Sequence, residues 1–189
     1  MPAGAGQTAG WQAGRVHARP PRWTVPLWGP RVRVSIGMLA WLALAVALIP
    51  ATGEWRAAAP LALLLAAMVS TAVHEGAHAW AAHRLGYEVG WVVLGSVAGM
   101  TAYLGRDDRP LERAAVALAG PAASAALVLV LLAARLAVPA GALSQAVVDT
   151  TLILNAVALV ANLIPVGHTD GALCLRGLVH HARLGRAAE

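Results

Sequence analysis

Residues Ala59 to Leu85 read APLALLLAAMVSTAVHEGAHAWAAHRL. The run is long and apolar enough to cross a bilayer as a helix, for which about 20 residues suffice, yet it carries His74, Glu75 and His78 within it. Helix residues four apart lie on one face, so His74 and His78 present both imidazoles to the same point, with Glu75 one position on. Two imidazoles at that spacing and an adjacent carboxylate can hold one tetrahedral zinc and a general base beside its water. The bland alternative is two histidines packed between helices and bonded to carbonyls. The intervening Glu75 argues against it, because an ionisable group at membrane depth is expensive and marks a functional site.

Composition agrees with a membrane chain. Of 189 residues 59% are hydrophobic and only 12% charged, against about 25% charged in a soluble domain. The net charge of +5 comes from arginine alone, as the chain has no lysine. The arginines cluster towards the tails, which suits anionic headgroups, and no basic helix or aromatic-basic pattern suggests nucleic acid as a partner. Cys174 is the only cysteine, which excludes an intrachain disulfide and a cysteine-based zinc site. Trp28, Trp41, Trp55 and Trp91 are candidate interfacial anchors.

The expected fold class is an all-α polytopic membrane protein with about four transmembrane helices, and a short β-hairpin or re-entrant loop after the second. Residues 1–33, rich in Gly, Ala, Pro and Arg, read as a disordered basic tail and not as a cleavable signal. Arg15, Arg19, Arg22, Arg31 and Arg33 precede the first span and put the N-terminus in the cytoplasm. Spans are expected over about 34–49, 59–85, 111–138 and 144–164, making a membrane domain over 34–172. Residues 173–189 form a cytoplasmic tail. Between the second and third spans, Val89 and Trp91 to Leu94 favour strand, with Gly90, Gly95 and Gly99 as punctuation. Such a stretch must satisfy its backbone internally and could offer an edge to an extended peptide. Gly95 and Gly99 are accordingly candidates for substrate binding or site support. In the third span Gly120 and Pro121 open a small-residue face for close helix packing. Asp149 could pair with Arg135 or reach water.

After the fourth span comes Asn162-Leu-Ile-Pro165-Val-Gly167-His168-Thr-Asp170-Gly171. Pro165 and Gly167 end the helix, so the chain can aim Asp170 back as a third ligand. Two histidines, one carboxylate and a water make an open catalytic site, and the topology brings both motifs to similar depth at the cytoplasmic ends of their spans.

His74-Glu75-x-x-His78 followed by Asn162-x-x-Pro165-x-x-x-x-Asp170-Gly171, with Ala119-Gly120-Pro121 between, resembles the site-2 protease family of intramembrane zinc metalloproteases. The resemblance covers roughly Ala59 to Ala172 and leaves no room for the PDZ or CBS modules of larger members. It implies one zinc per chain held by His74, His78 and Asp170, with Glu75 as base and proton shuttle. It also implies Asn162 near the bound peptide or supporting the site, with Pro165, Gly120 and Pro121 as further support. The implied activity is cleavage of a substrate's transmembrane segment near the cytoplasmic face. The implied setting is a bacterial cytoplasmic membrane with both termini inside, and a regulatory membrane partner is conceivable. Ser124 departs from the family's frequent Asn, and His168 stands where a small or apolar residue is usual. Two other functions compete: a catalytically silent scaffold for single-pass proteins, and a small metal or proton transporter.

Overall fold

The structure, a computed structural model, describes residues 24–28, 31–37, 58–95, 99–104, 109–137 and 143–187. Four helices are seen among them: α1 (Ala58–Arg84), α2 (Pro110–Ala137), α3 (Leu143–Leu163) and α4 (Asp170–Ala187). Four strands, β1 (Thr24–Trp28), β2 (Val32–Ser35), β3 (Glu88–Leu94) and β4 (Met100–Leu104), form one sheet in that order.

The expected hairpin is present as β3 and β4, antiparallel, with Val93 opposite Met100 and Val92 opposite Thr101. It does not stand alone. β2 runs parallel to β3, as it can because the connection between them includes α1, and β1 pairs antiparallel with β2. Thr24 to Trp28 and Val32 and Arg33 thus form strands where the sequence reads as a disordered tail, and Val34 and Ser35 are strand where the first span was expected to begin. The physical reason is pairing: strands of four or five residues, one of them with Pro26, carry little signal locally, and the missing hydrogen bonds come from the edge of β3 for β2 and from β2 for β1. Pro26, which has no N–H to donate, sits in the edge strand, next to a shift in register. The remainder of the expected first span, 38–49, lies outside the described residues.

The sheet lies along α1. The Tyr87 N–H donates to Ala82 O at 2.9 Å, turning the chain back, and Thr71 Oγ1 donates to Gly95 O at 3.3 Å. β3 therefore descends beside α1 from the level of Ala82 to that of Thr71. Trp91 and Val93 of β3 pack with Met100 and Ala102 on one face. Val89 and Tyr103 turn to the other, against Ala82, Tyr87 and Val116. The register shift between Val89 and Trp91 reverses the alternation so that both faces are filled.

Pro110 occupies the first helical position of α2, where its missing N–H costs nothing. Pro121 lies inside that helix, which continues on both sides of it. α3 ends at Leu163 and α4 begins at Asp170. Thr169 is the cap: its Oγ1 accepts the Ala172 N–H at 3.3 Å, and its carbonyl accepts the Leu173 N–H at 3.0 Å. A β-carbon on Gly171 would come 2.1 Å from Leu163 O, so only glycine lets the first turn of α4 close over the end of α3. The residues expected to be a tail from 173 onwards continue this helix, and the boundary at 172/173 falls within it. Ala114, Ala117 and Cys174 form the α2–α4 contact, a small-residue seam that supplies the tertiary support a weakly amphipathic sequence lacks by itself.

Pro60–Arg84 and Pro110–Ala137 are long and apolar enough to cross a membrane, and Val147–Leu163 is a shorter apolar helix. Leu61, Leu65 and Val69 on α1, Leu129, Val130 and Leu136 on α2, and Ile153, Val157 and Val160 on α3 are all exposed. Apolar faces of that extent are not left to water by a soluble domain, and lipid is the medium that covers them. The chain is a membrane protein. At the end of α1 the Arg84 guanidinium lies 5.3 Å from the centre of the Trp80 ring, an arrangement suited to the headgroup level.

Candidate active site

Two helices converge beneath that level. α1 supplies His74 and His78 one turn apart, and the capped start of α4 supplies Asp170. His74 Nε2 lies 3.1 Å from Asp170 Oδ2, and His78 Nε2 lies 3.4 Å from Asp170 Oδ1. The two Nε2 atoms are 3.2 Å apart. One donor atom from each residue lies within 4.8 Å of the others. The sequence expected this set, and the structure brings it together.

The outer imidazole nitrogens are tied. His78 Nδ1 donates to Val116 O at 2.8 Å. A carbonyl only accepts, so Nδ1 carries a proton and Nε2 faces the centre, where the neutral form of the ring presents a lone pair. His74 Nδ1 shares a 2.8 Å hydrogen bond with Ser124 Oγ. Ser124 is buried, and it fills in this chain the place of a polar partner for the first histidine. Metal-binding imidazoles are held this way, by a second contact that fixes tautomer and plane. Lone pairs on imidazole nitrogen and a carboxylate converging on one point make a donor set for a divalent cation, and the mixture of N and O suits zinc. The residues fit the metal.

Glu75 is only 4% exposed. Thr101 Oγ1 on β4 lies 2.6 Å from Glu75 Oε2 and 3.1 Å from Glu75 O. A β-carbon on Gly99 would lie 2.3 Å from Glu75 Oε1, so the glycine leaves that oxygen its space. Gly120 does the same for the imidazoles: its β-carbon would sit 2.2 Å from His78 Nε2 and 2.8 Å from His74 Nε2. Pro121 is buried beside it in α2.

A cavity of about 270 Å³ opens on these groups, with Glu75, His78, Asp170 and His168 on its wall. Met100, Thr101, Ala102 and Tyr103 line it in unbroken succession. Alternate residues of a strand point to opposite faces, so four in a row reach one cavity only where the strand's edge faces it. Among the described residues β4 is the last strand of the sheet, with no strand paired on its outer edge, and that edge borders the site.

The other expected site residues lie further off. Asn162 is half-buried in the last turn of α3, and Pro165 is exposed in the connection to α4; neither lines the cavity. Gly95 is buried, with its carbonyl bonded to Thr71. Asp149 pairs with Arg135 at 2.6 Å at the opposite end of the bundle. Asn155 Nδ2 donates to Ser70 Oγ at 2.9 Å and to Thr151 O at 2.8 Å, which ties α3 to α1. Sequence reasoning missed Thr101 and the Val116 carbonyl and noted Ser124 only as a departure. A serine, a threonine and a backbone oxygen carry no spacing signal.

No protein-family model matches the sequence, and no curated protein matches it. Among solved structures, the site-2 protease from Methanocaldococcus jannaschii superposes with a TM-score of 0.60 at 20% identity, over 83% of this chain and 72% of that one. The chain shares the site-2 protease fold.

Proposed function

We propose that this protein is an intramembrane zinc metalloprotease that hydrolyses a peptide bond in or near a transmembrane segment of a membrane-protein substrate, close to the cytoplasmic face. The observation that carries the reading is the convergence of Asp170 with His74 and His78 beside a buried Glu75, the last three within a helix long and apolar enough to cross a membrane. From His74 and His78 to Arg84 is 10 and 6 residues, or about 9–15 Å at 1.5 Å per residue. That depth lies within the hydrocarbon, at the end of the bundle where Arg84, Arg109 and Arg113 gather. Arginine-rich ends stay cytoplasmic.

A zinc ion held by His74, His78 and Asp170 supplies Lewis acidity towards a carbonyl and a water made acidic enough to attack near pH 7. The chain's own groups do the rest. Val116 and Ser124 hold the imidazole planes towards the centre. Glu75 accepts the proton of the attacking water and returns it to the nitrogen of the departing amine. β4 offers hydrogen-bonding groups along its outer edge, on which no described residue pairs and where an extended peptide could add as a further strand. A substrate helix must unwind to reach it, because its carbonyls are otherwise engaged in the helix.

The test uses purified protein in liposomes with a single-span reporter substrate. Wild type should carry about one zinc and cut the reporter, and chelation should stop cleavage until zinc is restored. His78→Ala and Asp170→Ala should lose both metal and activity, and Glu75→Gln should keep the metal and lose activity. A wild type that takes up no zinc even when zinc is added would replace this function with that of a membrane scaffold.

A further inference from the structure

The general base is held by the strand that borders the cavity. Thr101 is buried, sits on the edge strand β4, and turns its hydroxyl to Glu75. A hydroxyl has one proton to give. The hydroxyl lies 2.6 Å from Oε2 and 3.1 Å from Glu75 O, so that proton goes to Oε2, in a short bond that is of the strong kind when the carboxyl is ionised. Among the described residues no such donor meets Oε1, and Gly99 packs so close that a β-carbon there would fall 2.3 Å from it, so the missing side chain leaves the carboxylate its place. The two carboxylate oxygens are thereby made unequal by Thr101 on β4 and by Gly99, which immediately precedes that strand.

We infer that Thr101 is a positioning residue for Glu75: it fixes Oε2, aims Oε1 into the cavity as the oxygen that carries the proton, and makes the base an attachment of the same strand that bounds the substrate cavity. The inference rests on the proposed proteolytic function and deepens it. Because Met100 to Tyr103 line the cavity in succession, a peptide paired on the β4 edge and the Glu75 carboxylate share one rigid support. The reacting carbonyl and the base are then held to each other through β4 and do not depend on the freedom of a Glu side chain, which has three rotatable bonds.

The experiment compares Thr101→Val, which keeps the shape and removes the hydroxyl, with Thr101→Ser, which keeps the hydroxyl. Both are assayed in liposomes with the reporter substrate and analysed for zinc. Thr101→Val should lower kcat by about 10- to 100-fold, the usual cost of losing such a supporting contact, with KM within about twofold and zinc stoichiometry unchanged. Thr101→Ser should recover most of the rate. A readout independent of turnover is the infrared difference spectrum between each protein and its Glu75→Gln counterpart, which isolates the Glu75 carboxyl bands. These should move in Thr101→Val and return in Thr101→Ser. Wild-type kcat in the valine variant, equal impairment of both variants, or loss of zinc from the valine variant would each overturn the inference. If wild type itself proves unable to cut although it binds zinc, the proteolytic function fails. The infrared comparison then still decides whether Thr101 holds Glu75: unmoved bands overturn that contact, and shifted bands restored by serine uphold it.

Discussion

At the scale of single residues, the site depends on side chains that are absent as much as on those present. Gly120 lets α2 approach the imidazoles so closely that one added carbon would collide with both Nε2 atoms. Gly120→Ala should therefore strip the metal while leaving a folded, membrane-inserted chain, as zinc analysis alongside gel filtration in detergent would show. Ser124 acts on the opposite side of the same ring. With Ser124→Ala the His74 Nδ1 loses its buried partner, and zinc affinity should fall by about 10- to 100-fold, measured by competition with a chromophoric chelator. Ser124→Thr should weaken binding less, since it keeps the hydroxyl. A loss in Ser124→Thr equal to that in alanine would show that packing, and not the hydrogen bond, matters there.

At the scale of elements, two kinds of joint hold the ligands in register. The α3–α4 joint depends on Thr169 as cap and Gly171 as the point of closest approach to Leu163. It delivers Asp170 as the first residue of a helix, where a carboxylate also favours the positive end of the helix dipole. The α1–α3 joint depends on Asn155, whose amide bridges to Ser70, one helical turn before His74. Polar ties between membrane helices are modest, about 0.6 kcal/mol on average and under about 2 kcal/mol at most. Asn155→Leu should accordingly lower unfolding free energy in bicelles by about 1 kcal/mol and leave the zinc stoichiometry unchanged. The exposed Arg135–Asp149 pair should contribute still less, since pairs of that kind give about 0–1 kcal/mol.

At the scale of the whole molecule, charge and depth agree. Arg84, Arg109 and Arg113 stand at the end of the bundle nearer the site, and Arg135 with its partner Asp149 at the other. The resulting orientation is testable by labelling. In a Cys174→Ser background, Arg84→Cys should resist a membrane-impermeant maleimide added to intact cells and react once the membrane is opened, whereas Leu136→Cys should react from outside. The reverse pattern would place the site at the outer face and remove the cytoplasmic cleavage from the proposed function.

Much of this was legible without coordinates because it is local. An apolar run of bilayer length, two histidines at helical spacing, and a helix stop followed by an aspartate each declare themselves over a few residues. They determined the membrane class, the hairpin after the histidine helix and the His74, Glu75, His78, Asp170 set. What only the tertiary structure decided depends on partners distant in sequence. Val32 to Ser35 become a strand because β3 offers an edge, Thr24 to Trp28 because β2 then offers the next one, and residues 173–187 continue a helix that packs along α2. Thr101 and Ser124 gain their roles from proximity to Glu75 and His74, 26 and 50 positions away. A hydroxyl or a carbonyl is a generic group. Which one orients a ligand or a base is settled by three-dimensional neighbourhood, and a linear pattern has no means of recording it.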